Sequence, residues 1–261
     1  MLPTHSKRGK KPKTHPIAGF ATQCAARTGA GRARIGPLFA LLTLLAGCGS
    51  GSGEYFPFEA GRSWLYSGTL TTMDGAFGRL YPVQAGAPEM FAGETVYPQT
   101  ILAGRRYLYA QREDGIWRVA RQWGARKELV PYLKPELVLP DDDAPQSWQG
   151  RTTTQVLEVT GPPQETLFKV RETVPMTYIV AERDARVQTE AGNFSGCVRV
   201  EGRGRIHTDV GNYIGKVRIE VESNAWYAPN VGLVRMERTE RTSSNAIEYG
   251  HLALELVSYS R

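Results

Sequence analysis

Two groups of residues carry side chains of the kinds that bind metal ions. His207 and Asp209 are two positions apart, so on a β-strand both side chains would point to the same face. The spacing of residues in the sequence places no third ligand beside them, and zinc sites normally have three or four protein ligands. The run from Asp141 to Asp143 lacks the alternating ligands and the glycine of a calcium-binding loop. We therefore expect no metal site and no cofactor.

Candidate nucleophiles are equally sparse. Cys197 would need a histidine beside it to act as an activated thiol, and nothing in the sequence places one there. Ser63 lies in a segment that lacks the closing glycine of a nucleophile elbow. Acidic residues such as Glu158 and Glu182 are scattered, which leaves a hydrolase only as an alternative. We expect a protein without catalytic residues that is not an enzyme.

Aromatic residues are the most suggestive side chains for binding. On the inner wall of a β-barrel they could shelter an apolar ligand, whereas packed against one another they would form an ordinary core. Both interpretations stay open from sequence alone. The residues that we select as ligand-binding candidates are Trp64, Tyr66, Tyr107, Tyr109, Trp117 and Trp226.

The positive charge of the chain belongs to its first segment. The 261 residues carry a formal charge of +6, but residues 1–47 contain eight of the 32 basic residues and no acidic one. The remainder is therefore slightly acidic. Binding of nucleic acid would need a basic patch on the folded part, so we expect no nucleic-acid partner.

The same first segment has the layout of a bacterial secretion signal. An uncharged run of eight residues, Leu38 to Leu45, follows several arginines and precedes small residues. It is shorter than the ~20 residues of a membrane-spanning helix. Leu45 to Cys48, reading Leu-Ala-Gly-Cys, resembles the lipobox of bacterial lipoproteins. The resemblance implies cleavage before Cys48 and attachment of a lipid to its sulfur.

Cleavage and lipidation divide the chain into three parts. Residues 1–47 are the predicted signal peptide, residues 48–53 the lipidated cysteine with a Gly/Ser tether, and residues 54–261 a periplasm-facing domain. Gly49 follows the cysteine, where lipoproteins kept in the inner membrane often carry Asp. We therefore expect a lipid anchor in the outer membrane, with the inner membrane and the cell surface as alternatives.

The exported part predicts an all-β fold. Residues 107–111 and 116–121 read as two strands joined by a tight turn at Asp114-Gly115, and Lys216 to Glu222 alternates charged with aliphatic residues. Further strands are expected at 63–70, 152–159, 166–173, 177–187, 196–201, 233–239 and near 252–256. These strands favour a single curved antiparallel sheet that forms a half-open barrel or a sandwich.

A proline-rich segment interrupts this pattern. Pro131 to Gln149 contains four prolines around three aspartates. We interpret it as a long loop within one sheet, with a boundary between two β subdomains as the alternative.

Three stretches resemble a group of uncharacterised β-rich envelope lipoproteins. They are Tyr55 to Trp64, Phe194 to Val200, and Trp226 to Val234 with its Pro-Asn-Val-Gly turn. The resemblance implies architecture and no chemistry. The layout is also similar, more loosely, to the half-barrel lipoprotein carriers of the LolA and LolB kind. The sequence therefore predicts a membrane-anchored envelope lipoprotein that binds a hydrophobic ligand or an envelope protein, with a structural adaptor as the alternative.

Overall fold

The structure, a computed structural model, describes residues 51–124, 128–161, 166–211 and 214–260. The predicted signal peptide, residues 1–47, and Cys48 lie outside these residues. Within them the chain forms two short 3₁₀ helices, Ser52–Tyr55 and Leu102–Gly104, and fifteen strands. The strands are β1 Ser63–Thr72, β2 Gly75–Ala85, β3 Glu89–Phe91, β4 Glu94–Ile101, β5 Arg105–Arg112, β6 Gly115–Gln122, β7 Val130–Pro140, β8 Ser147–Thr153, β9 Glu158–Gly161, β10 Thr166–Lys169, β11 Thr173–Thr189, β12 Gly192–Asp209, β13 Lys216–Ala228, β14 Gly232–Thr242 and β15 Tyr249–Ser260. None of the described helices has the length and apolarity needed to cross a membrane.

Thirteen strands form one antiparallel sheet. Its order is β7-β6-β5-β4-β2-β1-β15-β14-β13-β12-β11-β8, with β3 paired to β4, while β9 and β10 form a separate hairpin. Strands β7 and β8 are consecutive in the chain but lie at opposite ends of this order, so the sheet curves until its two edges nearly meet. Across the seam between them, Trp148 Nε1 donates a hydrogen bond of 3.1 Å to the Leu137 carbonyl. The predicted single curved sheet forming a half-open barrel is confirmed.

The proline-rich segment is not the long loop that the sequence suggested. Its first part forms β7, and Gln149 lies in β8, so only residues 141–146 connect the two strands. Prolines lack an amide hydrogen and are tolerated on an edge strand, and β7 is an edge strand that pairs only with β6. Proline and Lys134 also discourage the addition of a further strand at this edge.

The other strand predictions hold where the sequence pattern describes a single hairpin or a single alternating strand. The hairpin at 107–121 is confirmed, with Gly115 at a φ of +140° in its turn. In β13, Val217, Ile219 and Val221 are buried, as alternation predicted. The expected strands at 152–159 and 166–173 are confirmed only in part, because neither run is continuous: residues 154–157 separate β8 from β9, and residues 170–172 separate β10 from β11.

A buried ion pair explains the break after β8. Glu240 is fully buried and accepts a 2.6 Å hydrogen bond from Arg238 Nε. It also accepts hydrogen bonds of 2.9–3.0 Å from the backbone N–H groups of Gln155 and Val156. Arg238 in turn donates to Thr152 and to the Thr153 carbonyl. Since these N–H groups bind a carboxylate on β14, they are not available to a strand ladder.

Among the residues that the structure describes, the core comprises four groups of buried residues. One surrounds Trp64, Tyr66 and Cys197; a second surrounds Leu157, Met176 and Ile219. A third contains Phe56, Tyr109 of β5 and Val200 of β12. Strands β5 and β12 lie in opposite halves of the sheet order, so the two halves of the sheet fold onto each other. A fourth, around Leu108, lies on the other face of β5.

Glycines in the strands make room for side chains that lie across the sheet. A Cβ added to Gly202 would approach the Tyr178 ring to 2.5 Å and Ser223 Oγ to 2.7 Å. We expect Gly202→Ala to lower the free energy of unfolding by about 1–3 kcal/mol, because the added methyl displaces packed groups. Chemical denaturation would measure it. The matched control is Gly78→Ala on β2, where a Cβ meets nothing within 4 Å; equal losses in both variants would contradict the packing argument.

Residues 51–58, which we call the N-terminal strap, are fixed to one end of the sheet. The Glu54 carbonyl accepts a 2.7 Å hydrogen bond from Asn230 N–H, and the Ser52 N–H donates to Asp141. Phe56 is 7% exposed and its ring centroid lies 4.7 Å from that of Tyr109. Ser52 is buried, so the body begins within the range that the sequence assigned to the tether.

Candidate functional site

The six aromatic residues selected from sequence do not form one site. Trp64 and Tyr66 belong to the core, where Trp64 Nε1 donates to the Val231 carbonyl at 2.7 Å and the Tyr66 hydroxyl donates to the Leu233 carbonyl at 2.9 Å. Trp117 packs against the Leu108 group and donates to Asp114. Trp226 packs at the edge of the Trp64 group. These four residues therefore belong to other core groups than Tyr107 and Tyr109, which pack with the Phe56 group.

Tyr107 and Tyr109 lie in β5 beside a group of arginines and rings. Tyr107 pairs across the strand with Arg121, and Tyr109 pairs with Arg118. Directly paired residues share a face of the sheet. Alternation alone would put Arg118 and Arg121 on opposite faces, because they are three positions apart. The ladder shifts by one residue at Val119, and this β-bulge brings both arginines to the tyrosine face.

The guanidinium groups and the rings alternate in space. Arg105 and Arg121 lie 5.6 and 5.2 Å from the centroid of the Trp123 ring. Arg121 and Arg118 lie 5.4 and 5.8 Å from the Tyr132 ring, and Arg118 lies 5.2 Å from the Tyr107 ring. The ring faces are electron-rich, so each contact stabilises a cation. We call this set the arginine–aromatic face; its members are Arg105, Tyr107, Arg118, Arg121, Trp123 and Tyr132.

The face carries unbalanced positive charge. Arg118 is paired with Glu136, with 2.7 Å between Nη2 and the carboxylate, and 32% of its side chain is exposed. Within the described ranges, Arg105 and Arg121 form no ion pair with a carboxylate, and their guanidinium groups contact the rings. Trp123 is 40% exposed. Arg105 and Arg121 are half-buried, so the face combines an exposed indole with two partly accessible arginines.

The deeper tyrosines of this region stay protonated to high pH. Burial raises the pKa of Tyr109 above its ordinary range, although the nearby Arg118 opposes the shift. Burial also raises the pKa of Tyr132, again against the effect of Arg118. In Tyr227, whose side chain packs with Phe56 and Tyr109, burial raises the pKa to about 12.

This shift gives an alkaline stability prediction. Between pH 10 and about pH 12 the Tyr227 phenol ionises in the unfolded chain but not in the folded one. The free energy of unfolding should therefore fall as pH rises through this range, by up to about 1.4 kcal/mol per pH unit for each such tyrosine. Urea denaturation at several pH values would measure the slope. Tyr227→Phe should give a shallower slope, and an unchanged slope would contradict the assignment.

The candidates for metal binding and catalysis lie elsewhere. His207 and Asp209 are exposed on β12, and their cross-strand partners are Arg218 and Lys216, so cations face both residues. Asp141 accepts the Ser52 N–H bond, and Asp142 pairs with Arg183. Within the described residues no group of three or more His, Cys, Asp or Glu side chains could hold a metal ion.

Cys197 is buried, and the acids Glu158 and Glu182 each lie in an ion pair. Cys197 is fully buried, and burial raises the pKa of its thiol to about 11, with a smaller contribution from Asp184. Glu158 pairs with Lys169 at 2.5 Å, and Glu182 lies 3.5 Å from Arg199. The thiol is therefore protonated at neutral pH and shielded from solvent.

A concave region lies where β1, β2, β4 and β15 adjoin. Its volume is about 670 Å³, and it is lined by Ser63, Trp64, Leu65, Pro82, Val83, Gln84, Thr100, Ile101, Leu102, Ser258, Tyr259 and Ser260. Ligand pockets commonly have volumes of roughly 300–1,000 Å³. Trp64 is the one sequence-selected residue in this lining.

Comparisons with known proteins find resemblance in structure only. No protein-family model and no curated protein matches the chain. Two solved structures are similar: a proposed exported protein with a YmcC-like fold from Bacteroides fragilis and a proposed lipoprotein from Parabacteroides distasonis. Each is 14% identical and covers 79% of this chain and 98% of its own, with TM-scores of 0.37 and 0.39. The fold described above therefore rests on this chain's own strand pairing.

Proposed function

We propose that this chain is a lipid-anchored envelope protein that binds a ligand or partner at the arginine–aromatic face and catalyses no reaction. Its anchor would be the lipid on Cys48, in the outer membrane and facing the periplasm. The leader supports the anchor: a basic segment, a short apolar run and a Leu-Ala-Gly-Cys site occur in the expected order.

One observation carries the binding proposal. Arg105 and Arg121 are held against the Trp123 ring and have no carboxylate partner within the described residues. Surface arginines that serve only for solubility need no such positioning. Ring contacts hold the side chains in place, so less rotamer freedom is lost when a ligand binds. Arginine and exposed tryptophan are also the residue types that most often dominate binding surfaces.

A photo-crosslinking pair would test the location of binding. A photoreactive amino acid at position 132 replaces a ring of the face, whereas one at position 133 replaces Leu133, which is fully exposed in the same strand. We expect a defined crosslinked species in cells from position 132 that disappears when Arg121 is changed to Gln. Equal crosslinking from both positions, or no dependence on Arg121, would contradict the proposal.

A separate experiment would test the anchor. In Cys48→Ser the thioether cannot form, so processing should stop and the chain should no longer fractionate as a processed lipoprotein. Globomycin, which blocks lipoprotein signal peptidase, should cause the unchanged chain to accumulate in precursor form. Normal processing and membrane fractionation of Cys48→Ser would refute the lipid anchor.

The 670 Å³ concave region favours a second candidate function, binding of a hydrophobic ligand. Leu65, Ile101 and Leu102 contribute apolar surface to its lining. Native mass spectrometry after gentle extraction should then show bound mass, and Leu102→Asp should lose it. A consistently empty protein would exclude this candidate and leave the arginine–aromatic face unaffected.

A further inference from the structure

We infer that the arginine–aromatic face binds a phosphate group of its ligand. This inference rests on the proposed function of that face and names the chemistry of what it binds. The group could belong to a soluble phosphate ester or to a lipid headgroup, since the same donors would recognise either.

The charge of the face matches a phosphate better than a carboxylate. Glu136 offsets the charge of Arg118 at 2.7 Å, which leaves the charges of Arg105 and Arg121 uncompensated. A phosphate monoester carries about −1.5 to −2 at pH 7, so one such group balances two guanidinium groups. A single carboxylate would balance one.

The ring contacts leave the donors of the arginines available. A guanidinium group that stacks on a ring uses its flat surface, while its N–H donors point outward in the plane. The Arg121 guanidinium carbon lies 5.2 Å from the Trp123 centroid and 5.4 Å from the Tyr132 centroid, so contacts with two rings restrict its position. A planar donor fork of this kind fits two oxygens of one phosphate. Among the described residues, the guanidinium donors of Arg105 and Arg121 thus have no carboxylate acceptor.

Placing the positively charged arginines close together costs electrostatic energy, and a bound anion would remove that cost. Arg105 and Arg121 both approach the same indole ring, and Arg118 and Arg121 both approach the same phenol ring. Nearby like charges repel, and at a partly exposed site this repulsion is reduced but not abolished. A bound phosphate turns the repulsion into attraction. Trp123 is 40% exposed, so part of its indole is accessible to the atoms next to that phosphate.

Isothermal titration calorimetry on the full chain in non-ionic detergent would test this inference. The probes are inorganic phosphate, inorganic pyrophosphate, dihexanoyl phosphatidic acid and, as the neutral comparison, dihexanoyl phosphatidylcholine. We expect saturable binding of at least one of the first three and a weaker response to the last. Arg121→Gln should weaken binding about tenfold, the loss expected when hydrogen bonds to a charged group are removed.

The control variant is Arg186→Gln on β11, an exposed arginine away from the face. It removes the same charge and should leave binding unchanged. Binding of phosphatidic acid without binding of phosphate or pyrophosphate would identify a lipid headgroup, and the reverse would identify a soluble ester.

Two results would overturn the inference. One is the absence of binding by any phosphate probe; the other is equal loss in Arg121→Gln and Arg186→Gln. If position 132 still crosslinks in cells in an Arg121-dependent way, only the phosphate assignment fails and the proposed binding face stands.

Discussion

Replacing Glu240 with alanine should lower the free energy of unfolding by about 3–5 kcal/mol, because it leaves the buried Arg238 without its counter-charge. Arg238 is 7% exposed and Glu240 is fully buried. The substitution would also leave the N–H groups of Gln155 and Val156 without an acceptor. Urea denaturation followed by circular dichroism would measure the loss.

Glu237→Ala is the matched control for this experiment. Glu237 lies in the same strand and pairs with Arg235 at 2.6 Å, but 31% of its side chain is exposed. Exposed ion pairs contribute about 0–1 kcal/mol, so the control should lose little stability. A loss in Glu237→Ala as large as that in Glu240→Ala would show that burial of the pair is not what matters.

The second large effect is a difference in stability loss between alanine substitutions of two tryptophans that the sequence does not distinguish. Trp64 is 4% exposed and its indole N–H donates to the Val231 carbonyl. Trp64→Ala should therefore cost about 3–5 kcal/mol of folding free energy. Trp123 is 40% exposed, and Trp123→Ala should cost about 1 kcal/mol or less.

Binding should show the opposite order. Trp123→Ala removes the ring that positions Arg105 and Arg121, so it should weaken Arg121-dependent crosslinking from position 132. Chemical denaturation and crosslinking on the same preparations would give both values. If Trp123→Ala unfolds the protein as readily as Trp64→Ala, the indole is core and the face is not a binding surface.

Local patterns were sufficient to predict much of the sheet. Alternation in Lys216 to Glu222 and the Asp114-Gly115 turn describe single strands and single hairpins, and both are confirmed. These features depend only on neighbouring residues. The segment from Pro131 to Pro140 was predicted to be part of a loop, because prolines are acceptable in a sheet only at an edge and edge position is a property of the whole sheet.

The candidate site could be predicted only in part. Tyr107 and Tyr109 were selected from sequence, but Arg118 and Arg121 were not. Simple alternation separates these arginines, and only the bulge at Val119 reunites them. Tyr132 was hidden within the segment interpreted as a loop. A bulge and an edge strand arise from pairing between strands, which no single stretch of sequence specifies.

The N-terminal strap has a consequence for how the molecule would stand on its membrane. Three residues separate Cys48 from the buried Ser52, so their Cα atoms can be at most about 14 Å apart. On the proposed lipidation, the end of the sheet that holds the strap must therefore rest almost on the headgroups. Gln111 lies beside Gly53 of the strap, and Arg105 begins the same strand six residues earlier, a span of about 20 Å. On the proposed anchoring, the arginine–aromatic face would then begin about 20 Å along β5 from the strap, at the end of that strand away from the lipid.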